Sequence, residues 1–103
     1  MKTILWIDDI RKPTDYLDLT EAHKIIVAYN YESAIEALND YIFDIISFDH
    51  DLGEDKTGYD IAKYIVENNI NIGGFNIHSM NVVGRKNIRD LLTHYGYKEI
   101  WLI

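Results

Sequence analysis

Apolar residues in this chain fall into short continuous runs separated by longer stretches of helical spacing. The runs are 3–7 (TILWI), 24–29 (KIIVAY), the apolar part of 43–53 (FDIISFDHDLG), 75–78 (FNIH) and 99–103 (EIWLI). Each is β-branched or aromatic in character and lacks polar alternation, which predicts strands buried on both faces. Between them, Asn30 offers an N-cap to a helix over 31–41, with Ala34, Ile35, Leu38, Tyr41 and Ile42 on its buried face. Thr57 and Asp60 form a capping-box pattern for a helix ending near 67, with Ile61, Ala62, Ile65 and Val66 inward. A last helix over 84–95 carries Ile88, Leu91, Leu92 and Tyr95, and Gly96 stops it. In 10–24, Arg11 and Pro13 interrupt the pattern, so this stretch is either a short helix capped by Thr14 or an extended loop.

Strands alternating with helices predict an α/β fold, a doubly wound five-stranded parallel sheet within one domain, 1–103. Under right-handed crossovers and a strand order of 2-1-3-4-5, the three clear helices cover one face. The first helix is short or irregular and no helix follows the fifth strand, which leaves the other face thinly covered. Either 10–24 folds over it, or a second copy of the chain does so in a homodimer.

Charge narrows the partners. The chain has 10 Lys plus Arg against 17 Asp plus Glu, for a formal net charge of −7, and no basic stripe. Duplex nucleic acid requires clustered cations to displace counterions, so it is not expected as a partner. A small phosphorylated ligand remains compatible, because it needs only a few local donors or a bridging metal ion. The absence of cysteine excludes disulfides and thiolate zinc sites. The four apolar residues before Asp8 are too few for a signal or membrane segment, which points to a cytoplasmic protein without membrane attachment.

Three predicted strands end in polar clusters: Asp8 and Asp9; Asp49, His50 and Asp51; His78 and Ser79. In a 2-1-3-4-5 sheet these strands are neighbours, and ligands bind outside their C-terminal ends. Adjacent carboxylates such as Asp8 and Asp9 repel one another unless a cation or water separates them. They fit a metal site, or alternatively a solvated loop start.

The order and spacing of these residues resemble the receiver domains of two-component signalling. The matching positions are the acidic pair Asp8 and Asp9, Asp49 as phospho-acceptor, Gly58 nine residues later, and Ser79. Receivers also carry a lysine at the end of the fifth strand, then proline and a final helix, whereas this strand reads EIWLI. A closer similarity is to the receiver-like domains that process cyclic phosphates. It rests on Asp8, Asp9, Arg11 and Pro13; on Ser47, Asp49, His50, Asp51, Leu52 and Gly53; on Thr57, Gly58, Tyr59 and Asp60; and on His78, Ser79, Asn81, Gly84 and Arg85.

That resemblance implies a flavodoxin-like, receiver-like fold and a metal-dependent phosphoesterase acting on a cyclic phosphate, on a nucleotide or an RNA end. Asp8, Asp9 and Asp49 are then the expected ligands of Mg²⁺ or Mn²⁺. His50 and His78 would exchange protons, with Asp51 orienting His50 or a cation such as Arg11. Ser79, Asn81, Arg85 and Arg11 would hold phosphate oxygens, although Asn81 also suits a plain helix N-cap. Two alternatives stay open: a crevice that binds a nucleotide or phosphate without turning it over, and a divergent receiver phosphorylated on Asp49.

Overall fold

The structure, a computed structural model, describes residues 2–13 and 23–100. Its elements run β1 (Lys2–Ile7), β2 (His23–Ala28), α1 (Tyr31–Asp40), β3 (Ile45–Phe48), α2 (Gly58–Glu67), β4 (Gly74–Ile77) and α3 (Val82–His94). The four strands form one parallel sheet in the order β2-β1-β3-β4. This is the expected order of the first four strands. At the position of the expected fifth strand, Glu99 makes an isolated parallel bridge to Phe75, and Ile100 N–H donates to the Phe75 carbonyl at 2.7 Å. Residues 101–103 lie outside the described residues, so among these the sheet has four strands.

Alternation along each strand sorts the core into two faces. Leu5, Ile7, Ile46, Phe48, Phe75 and Ile77 pack with Ala34, Leu38, Ile61, Ile65, Ile88 and Leu92 of the three helices. Ile4, Trp6 and Ile45 belong to the opposite face and are buried as well, at 1%, 0% and 3% exposure. The expected thin cover is therefore not seen as bare apolar surface at these positions. Trp6 Nε1 donates to the Arg11 carbonyl at 3.0 Å, which draws the start of the uncertain 10–24 stretch against the sheet. The helix-or-loop question, with Thr14 as cap, falls on 14–22, outside the described residues.

The caps follow their sequence signals. Asn30 Oδ1 accepts from Ser33 N–H at 2.8 Å, and Thr57 N–H donates to the Asp60 carboxylate at 2.8 Å. One helix face is shorter than the spacing predicts: α1 ends at Asp40, so Tyr41 and Ile42 leave it and are 42% and 85% exposed. Tyr95 likewise lies beyond α3 and is exposed. Among the described residues no helix is long and apolar enough to cross a membrane.

Candidate functional site

Three strand ends are brought level by the sheet ladder continuing one step past each strand. Asp49 N–H donates to the Ile7 carbonyl at 2.9 Å, and His78 N–H donates to the Phe48 carbonyl at 3.0 Å. Asp8 and Asp49 thus leave neighbouring strands at the same height. Carboxylate oxygens of Asp8, Asp9 and Asp49 lie within 4.8 Å of one another. Asp8 and Asp49 are 1% and 4% exposed, which is unusual for carboxylates without compensation.

The compensation differs between the two. Asp8 Oδ1 accepts from the backbone N–H groups of Ile10 and Arg11, both at 2.8 Å, while Oδ2 lies 3.0 Å from His78 Nε2 and 3.7 Å from Arg11 Nε. Asp49 is held above the usual carboxylate range, first by burial and then by the charge of Asp8, against the pull of Arg11 and a hydrogen bond from Ser79. A cation held among these oxygens would remove the like-charge penalty that remains. The donor set is all oxygen, which suits a hard divalent ion such as Mg²⁺ or Mn²⁺.

These carboxylates form the floor of a cleft of about 330 Å³, whose walls include Arg11, Asp51, Ser79 and Asn81. Arg11 Nη1 donates to the His78 carbonyl at 3.0 Å, so its guanidinium is fixed beside the floor. Of the expected phosphate-holding residues, Arg85 alone does not line this cleft. It sits on the side of α3 where its charge acts on Glu99.

Asp51, His50 and Asn81 form one hydrogen-bonded group. His50 Nδ1 is 3.0 Å from Asp51 Oδ1, and Asn81 Nδ2 donates to Asp51 Oδ2 at 3.2 Å. The Asn81 amide cannot turn over, because its Oδ1 caps α3 by accepting from Gly84 N–H at 2.9 Å. Asn81 is therefore both the N-cap and a wall of the cleft. With Asp51 ionised, its pKa lowered by the bonds from His50 and Asn81, the proton of His50 belongs on Nδ1. The 3.3 Å approach of Asn81 Nδ2 to that nitrogen is then between two donors and carries no bond.

Two glycines let these groups come close. A Cβ on Gly84 would stand 2.3 Å from the His50 ring, and one on Gly58 would stand 2.0 Å from the Asp49 carbonyl. The glycine of the receiver-like pattern thus has a steric reason: α2 begins against the backbone that follows β3, where Gly58 N–H donates to the His50 carbonyl at 2.8 Å.

His78, expected from the sequence to exchange protons, is enclosed by protein. Its ring is stacked on Trp6, centroids 3.8 Å apart and 5° from parallel, and its side chain is 7% exposed. Both ring nitrogens already face protein: Nε2 meets Asp8, and Nδ1 lies 2.8 Å from Ser47 Oγ. Burial drives its pKa down to about 4, against the opposing pull of Asp8. The ring thus stands between Asp8 and Ser47.

Trp6, Ser47 and Asn76 were not singled out as site residues by their side-chain chemistry. They are register partners on three adjacent strands and so form one row across the sheet. Ser47 Oγ also contacts Asn76 Oδ1 at 3.1 Å, and Asn76 Nδ2 donates to the Ile100 carbonyl at 3.1 Å. Period-two alternation from His78 back through Asn76 was the signal that could have found this row.

Comparison with known proteins places the fold. The response regulator TrrA from Thermotoga maritima, solved in complex with Mg²⁺ and BeF, superposes with a TM-score of 0.72 at 19% identity, over 97% of this chain and 85% of that one. The receiver domain of Francisella response regulator 1452 gives 0.66 at 20% identity, over 92% and 93%. The signal receiver domain of a LuxO repressor protein from Vibrio parahaemolyticus gives 0.69 at 19%, over 95% and 75%. These likenesses establish a receiver-like α/β fold. No match was found among curated proteins. The family model of the cyclic-phosphate processing receiver domain matches residues 3–94, nearly the whole chain, and the chain belongs to that family.

Proposed function

We propose that this protein is a metal-dependent phosphoesterase that opens a cyclic phosphate on a nucleotide or an RNA end. The observation that carries the reading is the convergence of the Asp8, Asp9 and Asp49 oxygens within 4.8 Å, on the floor of a cleft that Arg11, Ser79 and Asn81 also line. A divalent cation held by these three carboxylates would neutralise phosphate charge and lower the pKa of water. On a chain of net charge −7, that neutralisation is needed before an anion can enter.

The protein's own groups have separable tasks. Arg11 supplies positive charge at the wall, and the Ser79 hydroxyl and Asn81 amide offer neutral hydrogen bonds to phosphate oxygens. Opening the ring forms one bond from a water oxygen to phosphorus and breaks one phosphorus–oxygen bond. The water loses a proton and the departing sugar oxygen gains one. His50 lies beside Asp51 and outside the lining of the cleft; protonated on Nδ1 toward Asp51, it would keep Nε2 as a base that exchanges these protons through an intervening water. His78 orients Asp8 through its Nε2 contact, as outer-shell imidazoles orient ligands elsewhere.

The enclosure of His78 favours a second reading, in which the cleft holds a phosphorylated ligand without turning it over, since neither histidine lines the cleft itself. Calorimetry with Mg²⁺ and a 2′,3′-cyclic nucleotide, followed by chromatography of the ligand, separates the two. Ring-opened product that disappears in Asp49→Asn supports the esterase. Saturable binding with the ligand recovered intact supports the sensor, and no binding at all overturns both.

A further inference from the structure

The cleft has an acidic floor and an apolar lip. Ile10 and Met80 line the same cleft as Asp8 and Asp49, yet they are 82% and 79% exposed. They approach from different elements, Ile10 from the loop after β1 and Met80 from the turn between β4 and α3. Val82 and Val83, next after Asn81 in the first turn of α3, are 69% and 68% exposed. Among the described residues, four of the eight large exposed apolar side chains thus cluster in these two short segments, where scattered exposure would be unremarkable.

Their backbones are not loose. Ile10 N–H is tied to Asp8 Oδ1 at 2.8 Å, and Asn81 N–H donates to Ser79 Oγ at 3.1 Å. The segments that hold the cation-binding carboxylate and the phosphate-facing serine therefore also hold two apolar side chains in the open. A thioether and a branched aliphatic chain are suited to the flat, weakly polar face of an aromatic ring.

We propose that Ile10 and Met80 grip a nucleobase, so that the ligand class is a nucleoside cyclic phosphate, or the last nucleotide of a strand carrying one, and not a base-free cyclic phosphate. This rests on reading the acidic floor as the phosphate site. A cleft of about 330 Å³ is the size of a small-ligand pocket, suited to one nucleotide unit. Charge supplies little attraction for the rest of the ligand on this acidic protein, which leaves apolar contact at the lip to supply it.

The test compares a 2′,3′-cyclic nucleotide with 1,2-cyclic glycerol phosphate on the Mg²⁺-loaded protein, by calorimetry, or by KM where the ligand turns over. The nucleotide is expected to bind at least about tenfold more tightly, the scale of burying one ring face. Met80→Ser and Ile10→Ser are each expected to reduce that preference about threefold or more, with the base-free ligand unaffected. Both side chains are exposed, so neither change threatens the fold, and thermal melts verify this. Equal affinity for the two ligands, or a preference that both variants leave intact, overturns the proposal while the phosphate site stands. Failure of both ligands to bind overturns the phosphate site and the lip together.

Discussion

Asp49 shows the tension in this site most clearly. Its carboxyl is buried beside Asp8 and its pKa is raised, so the ionised form that a cation needs is the form the folded protein disfavours. Asp49→Asn keeps the shape and can still accept from Ser79. It is expected to raise the Tm of the metal-free protein near neutral pH and to abolish the Tm increase on adding Mg²⁺, both read by calorimetric melts. A lower metal-free Tm would mean that the charge is already compensated within the protein. His78→Gln tests the support role: removing an outer-shell partner costs about 10–100-fold in metal affinity. If Mg²⁺ binds the variant as tightly as the parent, His78 does not orient Asp8. Gly84→Ala places a methyl within the His50 ring and is expected to lower turnover, through displacement of that ring, more than it lowers metal affinity. Equal losses in both would point to general damage.

At the scale of elements, α3 does three jobs. Its N-cap Asn81 walls the cleft, its Gly84 seats His50, and its Arg89 makes a paired contact with Glu99, Nε and Nη2 each 2.8 Å from a carboxylate oxygen. From sequence Arg89 reads as an ordinary helix residue, because its partner sits ten positions away at the start of the expected fifth strand. The pair lowers the Glu99 pKa below 4.5, chiefly through the hydrogen bonds from Arg89. A depressed carboxylate contributes stability that is present above the unfolded pKa and is lost as pH falls through the folded one. Glu99→Gln is accordingly expected to cost about 1 kcal/mol at pH 7, as partly exposed pairs do, with the difference shrinking in acid as pH falls from the unfolded glutamate pKa through the lowered folded one. Denaturant melts at pH 7 and in acid check this. A difference that persists in acid would assign the effect to packing.

Across the whole molecule, much of the plan was readable from residues 3–100. Continuous apolar runs marked β1 to β4, the Asn30 and Thr57 signals marked the first two helix starts, and polar residues at strand ends marked the floor of the cleft. Alternation along β4 puts His78 on the same face as Asn76, but the spacing could not say that Trp6 would cover the ring. Imidazole chemistry suggested a proton carrier, whereas alternation along β4 put the ring beneath Asp8. Arg85 lies outside the lining of the cleft, on a helix that begins two residues before the predicted start. What covers the second face was legible only as a need for cover, met at its edge by the Arg11 carbonyl on Trp6.

The central claim is that three converged aspartates serve the opening of a cyclic phosphate, and phosphorus NMR reads this directly. With Mg²⁺ and a 2′,3′-cyclic nucleotide, the resonance of the cyclic diester is predicted to give way to that of a monoester with the wild-type protein and to persist with Asp49→Asn. A cyclic resonance left unchanged by the wild-type protein across a range of nucleotides and pH, or a conversion that Asp49→Asn performs equally well, would contradict the account.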